Sequence, residues 1–384
     1  MHMKKVGIMS MQRIKNYGSF LQAYALKKII EELGNKVEFV DYHVEEPIIK
    51  DNKEKGKLYK GIEALKGKAK LSHKIQYIIH KKSFNKYLSL LNINSEYKYN
   101  TKLDTLVIGS DEVFNLIQSN KNVGYSLELF GKDNNANKVI TYAASFGNTT
   151  LKKINKYNKK EEIKDLLNNI NSISVRDNNS FYIVNELTGK EPVINFDPVL
   201  IYDYMNTDLI PNINIKEKYM ILYAYNGRIS NEEAKEIKRI ANEKGAKVYS
   251  IGGAQPFADK FIECSPFEVL SYFKNAEYIV TDTFHGSIFS IINRKPFVTL
   301  VRKSKDNSYG NEEKLTYLLE TLQLKERIIY NIDSLKELID KYIDYKSVEY
   351  IIKKEKENAI DYLKKNIWKR KRWCYVKKNF KRQD

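Results

Sequence analysis

Residues 4–42 read KKVGIMSMQRIKNYGSFLQAYALKKIIEELGNKVEFVDY, and this stretch decides the architecture. Lys4 to Ser10 reads as a strand, a polar loop follows, and Gly18 to Leu33 has helical periodicity with Gly34 placed as its C-cap. Lys36 to Tyr42 then reads as a second strand. Strand, helix and strand within about forty residues make a βαβ unit, which demands a parallel sheet.

Working outward, the segment from about Lys50 to Lys102 is lysine-rich and helical in period, and reads as an insertion between strands. Alternation resumes with strands at Thr105 to Gly109 and Val139 to Ser145, a helix near Glu161 to Ile170, and strands Ser172 to Val175 and Val193 to Phe196. Asp197-Pro198 and the stretch through Pro211 to Asn214 look like an interdomain connection. A second series follows: strand Tyr219 to Tyr225, helix Asn231 to Lys244, strand Lys247 to Ile251, and a Gly252-Gly253 turn. It continues through a helix at Pro266 to Lys274, strand Tyr278 to Thr281, a short helix from His285, and strand Pro296 to Val301. The long stretch Ser334 to Asn366 reads as helix and is expected to cross back over the first domain. The fold class is therefore α/β, with two doubly wound Rossmann-like domains (1–200 and 215–330) facing a cleft and a C-terminal helical segment with a basic tail (331–384).

The 384 residues carry 66 Lys+Arg against 48 Asp+Glu, a formal charge of +18. The excess is localised. Residues 50–102 hold 14 Lys and 4 acids, and residues 363–384 hold 10 Lys/Arg and one acid, so the remaining body is nearly neutral. Such a distribution argues against a nucleic-acid reader, whose positive stripe crosses the folded module itself, and suits docking on an anionic surface. The tail Trp368-Lys369-Arg370-Lys371-Arg372-Trp373 mixes aromatics with cations as interfacial segments do, although both tryptophans could instead pack on the body. No run approaches the ~18 to 20 apolar residues of a spanning helix, and Val6 to Met9 is too short for a signal-peptide core. Cys264 and Cys374 are the only cysteines, which fits a reducing compartment. The expected location is cytoplasmic, with peripheral contact to the inner face of the membrane.

Several chemistries lose their support. The turn Ser10 to Gly18 lacks G-x-G-x-x-G spacing, no P-loop is present, and neither a G-x-S-x-G elbow nor a metal-spaced His/Cys cluster occurs. No metal or cofactor is expected. Of five histidines, His285 alone has a site-like setting: Asp282-Thr283-Phe284-His285-Gly286-Ser287 joins a strand's carboxyl end to a helix's first turn, where unpaired N–H groups attract anions. An imidazole there can move a proton in either direction. Arg176 also follows a strand, where a guanidinium can clamp a carboxylate or phosphate, and Arg302 and Lys303 share that logic. Asn16-Tyr17-Gly18-Ser19 and Gly109-Ser110-Asp111 could line the cleft, or simply cap and turn the chain.

Taken in order, NYGSFLQAYAL from Asn16, VIGSDEVFN from Val107, YAASFG from Tyr142, SVRD from Ser174, Asp197-Pro198 and TDTFHG from Thr281 resemble the polysaccharide pyruvyl transferase family. The resemblance implies a glycosyltransferase-B-like fold, phosphoenolpyruvate as donor, and a glycan as acceptor, including one carried on a lipid diphosphate. It marks Arg176 and His285 as catalytic, and Arg176, Thr283, Gly286, Ser287, Arg302 and Lys303 as the donor side. Asn16, Tyr17, Gly18, Gln22, Ser110 and Asp111 fall on the acceptor side. Several members carry arginine two positions before the histidine, where this chain has Thr283, so another cation must take its place; Arg302 and Lys303 are the candidates. The rival expectations are a nucleotide-sugar glycosyltransferase and a non-catalytic carbohydrate-binding or membrane-docking protein.

Overall fold

A computed structural model describes residues 3–49, 84–118, 124–302 and 312–368. Most of the lysine-rich insertion, Lys303 and the tail beyond Trp368 lie outside the described residues.

Twelve described strands form two six-stranded parallel sheets. The first contains β1 (Lys5–Met9), β2 (Lys36–Phe39), β3 (Thr105–Asp111), β4 (Val139–Ala144), β5 (Ser174–Val175) and β6 (Val193–Ile194), in the order β2-β1-β3-β4-β5-β6. The second contains β7 (Tyr219–Tyr223), β8 (Lys247–Ile251), β9 (Lys260–Phe261), β10 (Tyr278–Thr281), β11 (Phe297–Leu300) and β12 (Ile328–Ile329), in the order β12-β11-β10-β7-β8-β9. Central strands such as β3, β4 and β7 are buried along nearly their whole length, as near-continuous apolar runs covered on both faces must be. Strand order reverses between β1 and β3 in one sheet and between β7 and β10 in the other. In doubly wound folds these crevices, at the strands' carboxyl ends, receive ligands.

The helices, in chain order, are α1 (Tyr17–Glu32), α2 (Leu151–Lys156), α3 (Lys160–Asn169), α4 (Asn178–Thr188), α5 (Pro198–Ile201), α6 (Asn231–Glu243), α7 (Pro266–Asn275), α8 (Phe284–Ile292), α9 (Glu312–Thr321), α10 (Leu335–Ile339) and α11 (Tyr345–Ile367). Asn16 caps α1 by accepting from the Ser19 N–H at 2.8 Å, and Gly34, at φ 81°, ends it in the left-handed region. α1 is apolar almost all round because it is wedged between the halves, against α5 and α7. One continuous core consequently runs from Val6, Ile8 and Tyr142 of the first half to Tyr219, Tyr223 and Phe289 of the second.

The C-terminal segment crosses the seam. Tyr345 Oη donates to Lys295 O at 2.6 Å on the second half, and Tyr362 Oη lies 2.9 Å from Thr141 O on the first. The expected uninterrupted helix from Ser334 is broken after α10. The buried guanidinium of Arg327 takes the carbonyls of Leu338, Lys341 and Tyr342 at 2.7, 2.7 and 3.0 Å, satisfying a turn that no longer continues as helix. No described helix is long and apolar enough to cross a membrane.

Candidate active site

The carboxyl end of β3 is bent by Gly109, at φ 119°, where a Cβ would lie 2.2 Å from the Tyr142 carbonyl oxygen, so glycine alone fits. The bend presents Ser110 and Asp111. Ser110 Oγ lies 3.1 Å from Ala143 O and 3.3 Å from Asp197 Oδ2. Asp111, itself at φ 80°, accepts from Ser19 Oγ at 3.0 Å and from Arg176 Nη2 at 3.3 Å.

Arg176 emerges from β5 fully enclosed. Nη1 donates to Asp197 Oδ2 at 2.7 Å, and the guanidinium lies 4.2 Å from the ring centre of Phe284 on α8. Burial opposes its charge, but the Asp111 and Asp197 carboxylates outweigh that and raise its pKa further. Nε has no partner among the described residues. The expected open clamp is therefore a filled one: two of the chain's own carboxylates occupy the fork.

Asp197 belongs to the Asp-Pro pair that reads as a connection in the sequence; in the fold it caps α5, accepting from Val199 N–H at 3.0 Å, and stands at the centre of the site. Burial pushes its carboxyl up, yet the His285 ring, Arg176 and the Val199 N–H hold it down at about 2.

His285 enters from the second half, in the first turn of α8, whose cap Thr283 accepts from the Gly286 N–H at 2.9 Å. Its Nε2 lies 3.6 Å from Asp197 Oδ2, an ion-pair separation. The other side of the ring rests on α1: a Cβ at Gly18 would stand 2.2 Å from Nδ1. Gly18 is thus the floor on which the imidazole of the opposite half lies. The first turns of α1 and α8 meet at this contact, which brings two helix N-termini together.

The remaining expected residues divide. Tyr17 Oη reaches Cys264 O across the seam at 3.1 Å, and Gln22 Nε2 binds Ser10 Oγ at 2.9 Å, both buried beneath the cleft. Ser287 Oγ turns into the second sheet, 2.9 Å from Thr299 Oγ1, and Gly286 makes room for Thr281 and Tyr223. Thr283 spends its hydroxyl on the cap. Arg302 forks onto Glu233, with Nη2 at 3.0 Å from Oε2, and also donates to Arg228 O at 3.2 Å. Beside it the Asp282 carboxyl, with Arg228 at 3.8 Å, is pushed up by burial to about 6. Lys303 lies outside the described residues.

Sequence reasoning missed three groups: Asp197 as the common partner, Gly18 as the histidine's seat, and Lys314. The last reaches from α9 to Glu112 on the first half at 2.6 Å; Glu112 is held charged against burial mainly by that ammonium. Asp197 carried a visible signal in Asp-Pro, whereas nothing local marks Lys314.

Two Rossmann-like halves presenting their switch points to one another define the two-domain transferase scaffold of glycosyltransferase-B type. Within that class the chain belongs to the polysaccharide pyruvyl transferase family, whose family model matches residues 16–304. No curated protein matches it. Among solved structures, the chain is similar in fold to S. aureus MnaA, solved with UDP, at 12% identity and TM-score 0.52, covering 94% of this chain and 96% of that one. The glycotransferase of kitacinnamycin is similar at 9% identity and TM-score 0.50, covering 96% and 100%.

Proposed function

We propose that this protein transfers pyruvate from phosphoenolpyruvate to two hydroxyls of a sugar in a cell-surface polysaccharide or its lipid-linked precursor, forming a pyruvate ketal and releasing phosphate. The observation that carries the reading is the seam contact: His285 of one half lies on Gly18 of the other and shares Asp197 with Arg176, where two helix N-termini converge. Two helix N-termini brought together suit a small anion, and an imidazole beside a charged carboxylate suits proton movement.

In this scheme the second half takes the donor and the first half the acceptor. The methylene carbon of the donor gains a proton, leaving an oxocarbenium-like centre at C2. One sugar hydroxyl attacks that centre and loses its proton; the second displaces phosphate, breaking the C2–O bond and closing the ketal. One hydroxyl proton ends on the new methyl group and the other on phosphate. His285 carries the proton that moves between hydroxyl and methylene. Asp197, 3.6 Å away, orients the imidazole, and Arg176 acts through Asp197 and Asp111 as a positioning residue. Holding both reactants in register supplies much of the rate.

The test incubates the protein with phosphoenolpyruvate and a glycan panel, following acceptor mass and phosphate together. His285→Ala should abolish both signals, and Arg176→Ala should slow them by about a hundredfold. Thermal protection by UDP and none by phosphoenolpyruvate would overturn the proposal in favour of nucleotide-sugar chemistry. The basic tail adds a membrane component to the reading. Trp368 packs on the core, so truncation after it removes 8 of the tail's cations while sparing that contact, and should abolish low-salt pelleting with anionic vesicles.

A further inference from the structure

Beyond the carboxyl ends of β1 and β2, on the first half, four side chains form a stiff aromatic row that the reacting centre does not use. The guanidinium of Arg13, in the loop after β1, lies 4.1 Å from the ring centre of Tyr97. The rings of Tyr97 and Tyr99 are nearly parallel, at 6°, with centroids 5.8 Å apart, and the imidazole of His43 lies 3.8 Å from Tyr99. Both ends are fixed. Arg13 grips Asp41 through Nε at 2.6 Å and Nη2 at 2.8 Å and donates to the carbonyls of Asn94 and Glu96 at 2.9 Å each. His43 Nδ1 is 2.7 Å from Glu128 Oε1. Yet Tyr97 remains 58% and Tyr99 37% exposed. Tyr97 keeps that exposure with Arg13 already against one face, so much of the rest of the ring is open to solvent.

The row is also registered to the site. Asp41 accepts from Gln12 Nε2 at 3.3 Å, Gln12 Oε1 accepts from Ser10 N–H at 2.9 Å, and Ser10 Oγ donates to Ser110 O at 2.9 Å. Ser110 in turn reaches Asp197. A buried hydrogen-bond chain thus runs from under Tyr97 to the carboxylate that faces His285, fixing the separation of row and centre.

We propose that Tyr97 and Tyr99 form an outer acceptor subsite that stacks sugar units of the glycan chain beyond the one being modified; this rests on the glycan-acceptor reading above. Sugar rings present apolar C–H faces and a hydroxyl edge. Rigid tyrosine rings flanked by guanidinium, imidazole and carbonyl groups match both features at little entropic cost. Two rings are too small an area for a protein interface, and their place on the acceptor half sets them apart from the donor.

Calorimetric titration of the full-length protein with linear gluco-, galacto- and manno-oligosaccharides of one to four units tests this. In at least one series affinity should rise with length. Tyr97→Ala/Tyr99→Ala should cost the longer members about tenfold, leaving single sugars and thermal protection by phosphoenolpyruvate unchanged, while Tyr97→Phe/Tyr99→Phe keeps the length effect. Equal affinities in wild type and the alanine pair, or no oligosaccharide binding by wild type, overturn the subsite. Length-dependent binding without phosphate release from phosphoenolpyruvate retains the subsite and removes the transfer reaction. Ketal formation with the same KM for long acceptors in both proteins does the reverse.

Discussion

Gly18→Ala is the sharpest perturbation of the seam. The added methyl would begin 2.2 Å from His285 Nδ1, 2.4 Å from Cγ and 2.8 Å from Cε1. Moving Nδ1 from 2.2 Å to the 3.4 Å at which contact becomes ordinary requires a retreat of about 1.2 Å. α1 cannot give way, because it is buried between the halves, so the imidazole moves and its 3.6 Å geometry with Asp197 changes. Misplacing a reacting group by about 1 Å costs roughly a hundredfold in rate. Stability should fall only modestly, since the roughly 1–3 kcal/mol cost of overpacking a buried site is partly offset by the up to about 1 kcal/mol by which alanine is better than glycine in a helix. The assay is phosphate release from phosphoenolpyruvate with a competent acceptor, alongside thermal denaturation. kcat should fall by about two orders of magnitude with a melting temperature lowered by only a few degrees. Combination with His285→Ala should cost no more than His285→Ala alone, because both changes remove one interaction. Wild-type turnover in Gly18→Ala, or losses that multiply in the double variant, would refute the placement of the imidazole on that glycine.

Asp197→Asn should reduce kcat at least as far and destabilise the fold by about 3 kcal/mol in urea titration, because it leaves the enclosed Arg176 charge with one carboxylate fewer. The wild-type Asp197 carboxyl, held at about 2 against an ordinary 3.8, contributes stability that is present above pH 3.8 and lost as pH falls through 2. Asp282 works with the opposite sign. Its carboxyl is raised to about 6, so the folded state holds the extra proton between pH 3.8 and 6, and stability declines as pH rises through that window. Asp282→Asn should flatten this decline and gain about 3 kcal/mol at pH 8 in denaturant titrations; an unchanged pH profile would remove burial as the cause.

Much of the fold is written locally. Runs such as Leu106-Val107-Ile108 and Ile279-Val280-Thr281, each followed by glycine, serine or aspartate, announce buried parallel strands with a turn at the carboxyl end. His285 and Arg176 stand at such turns, and the family resemblance rather than the position alone singles them out. Partnership is what local pattern cannot carry. Arg176 meets Asp111 and Asp197 because β3, β4, β5 and β6 lie side by side in the sheet, and Arg302 meets Glu233 because α6 starts beside the end of β11. Those pairings span 65, 21 and 69 residues. Thr283 and Ser287 illustrate a different gap: the sequence places them on the right turn, but a cap hydroxyl is claimed by its own helix and the next turn's hydroxyl by the sheet.

The charge balance at the seam constrains how an anionic donor can be held. Arg176 is matched by Asp111 and Asp197, Lys314 by Glu112, and Arg302 by Glu233. These cations cannot also neutralise phosphoenolpyruvate without releasing a buried carboxylate, a step costing several kcal/mol. In the proposed scheme the positive ends of α1 and α8, held in one continuous core, are what is left to meet the donor's charge. In the proposed scheme the threonine at position 283, where several family members carry arginine, contributes by capping α8 and so fixing the N-terminus that with α1 would meet the donor.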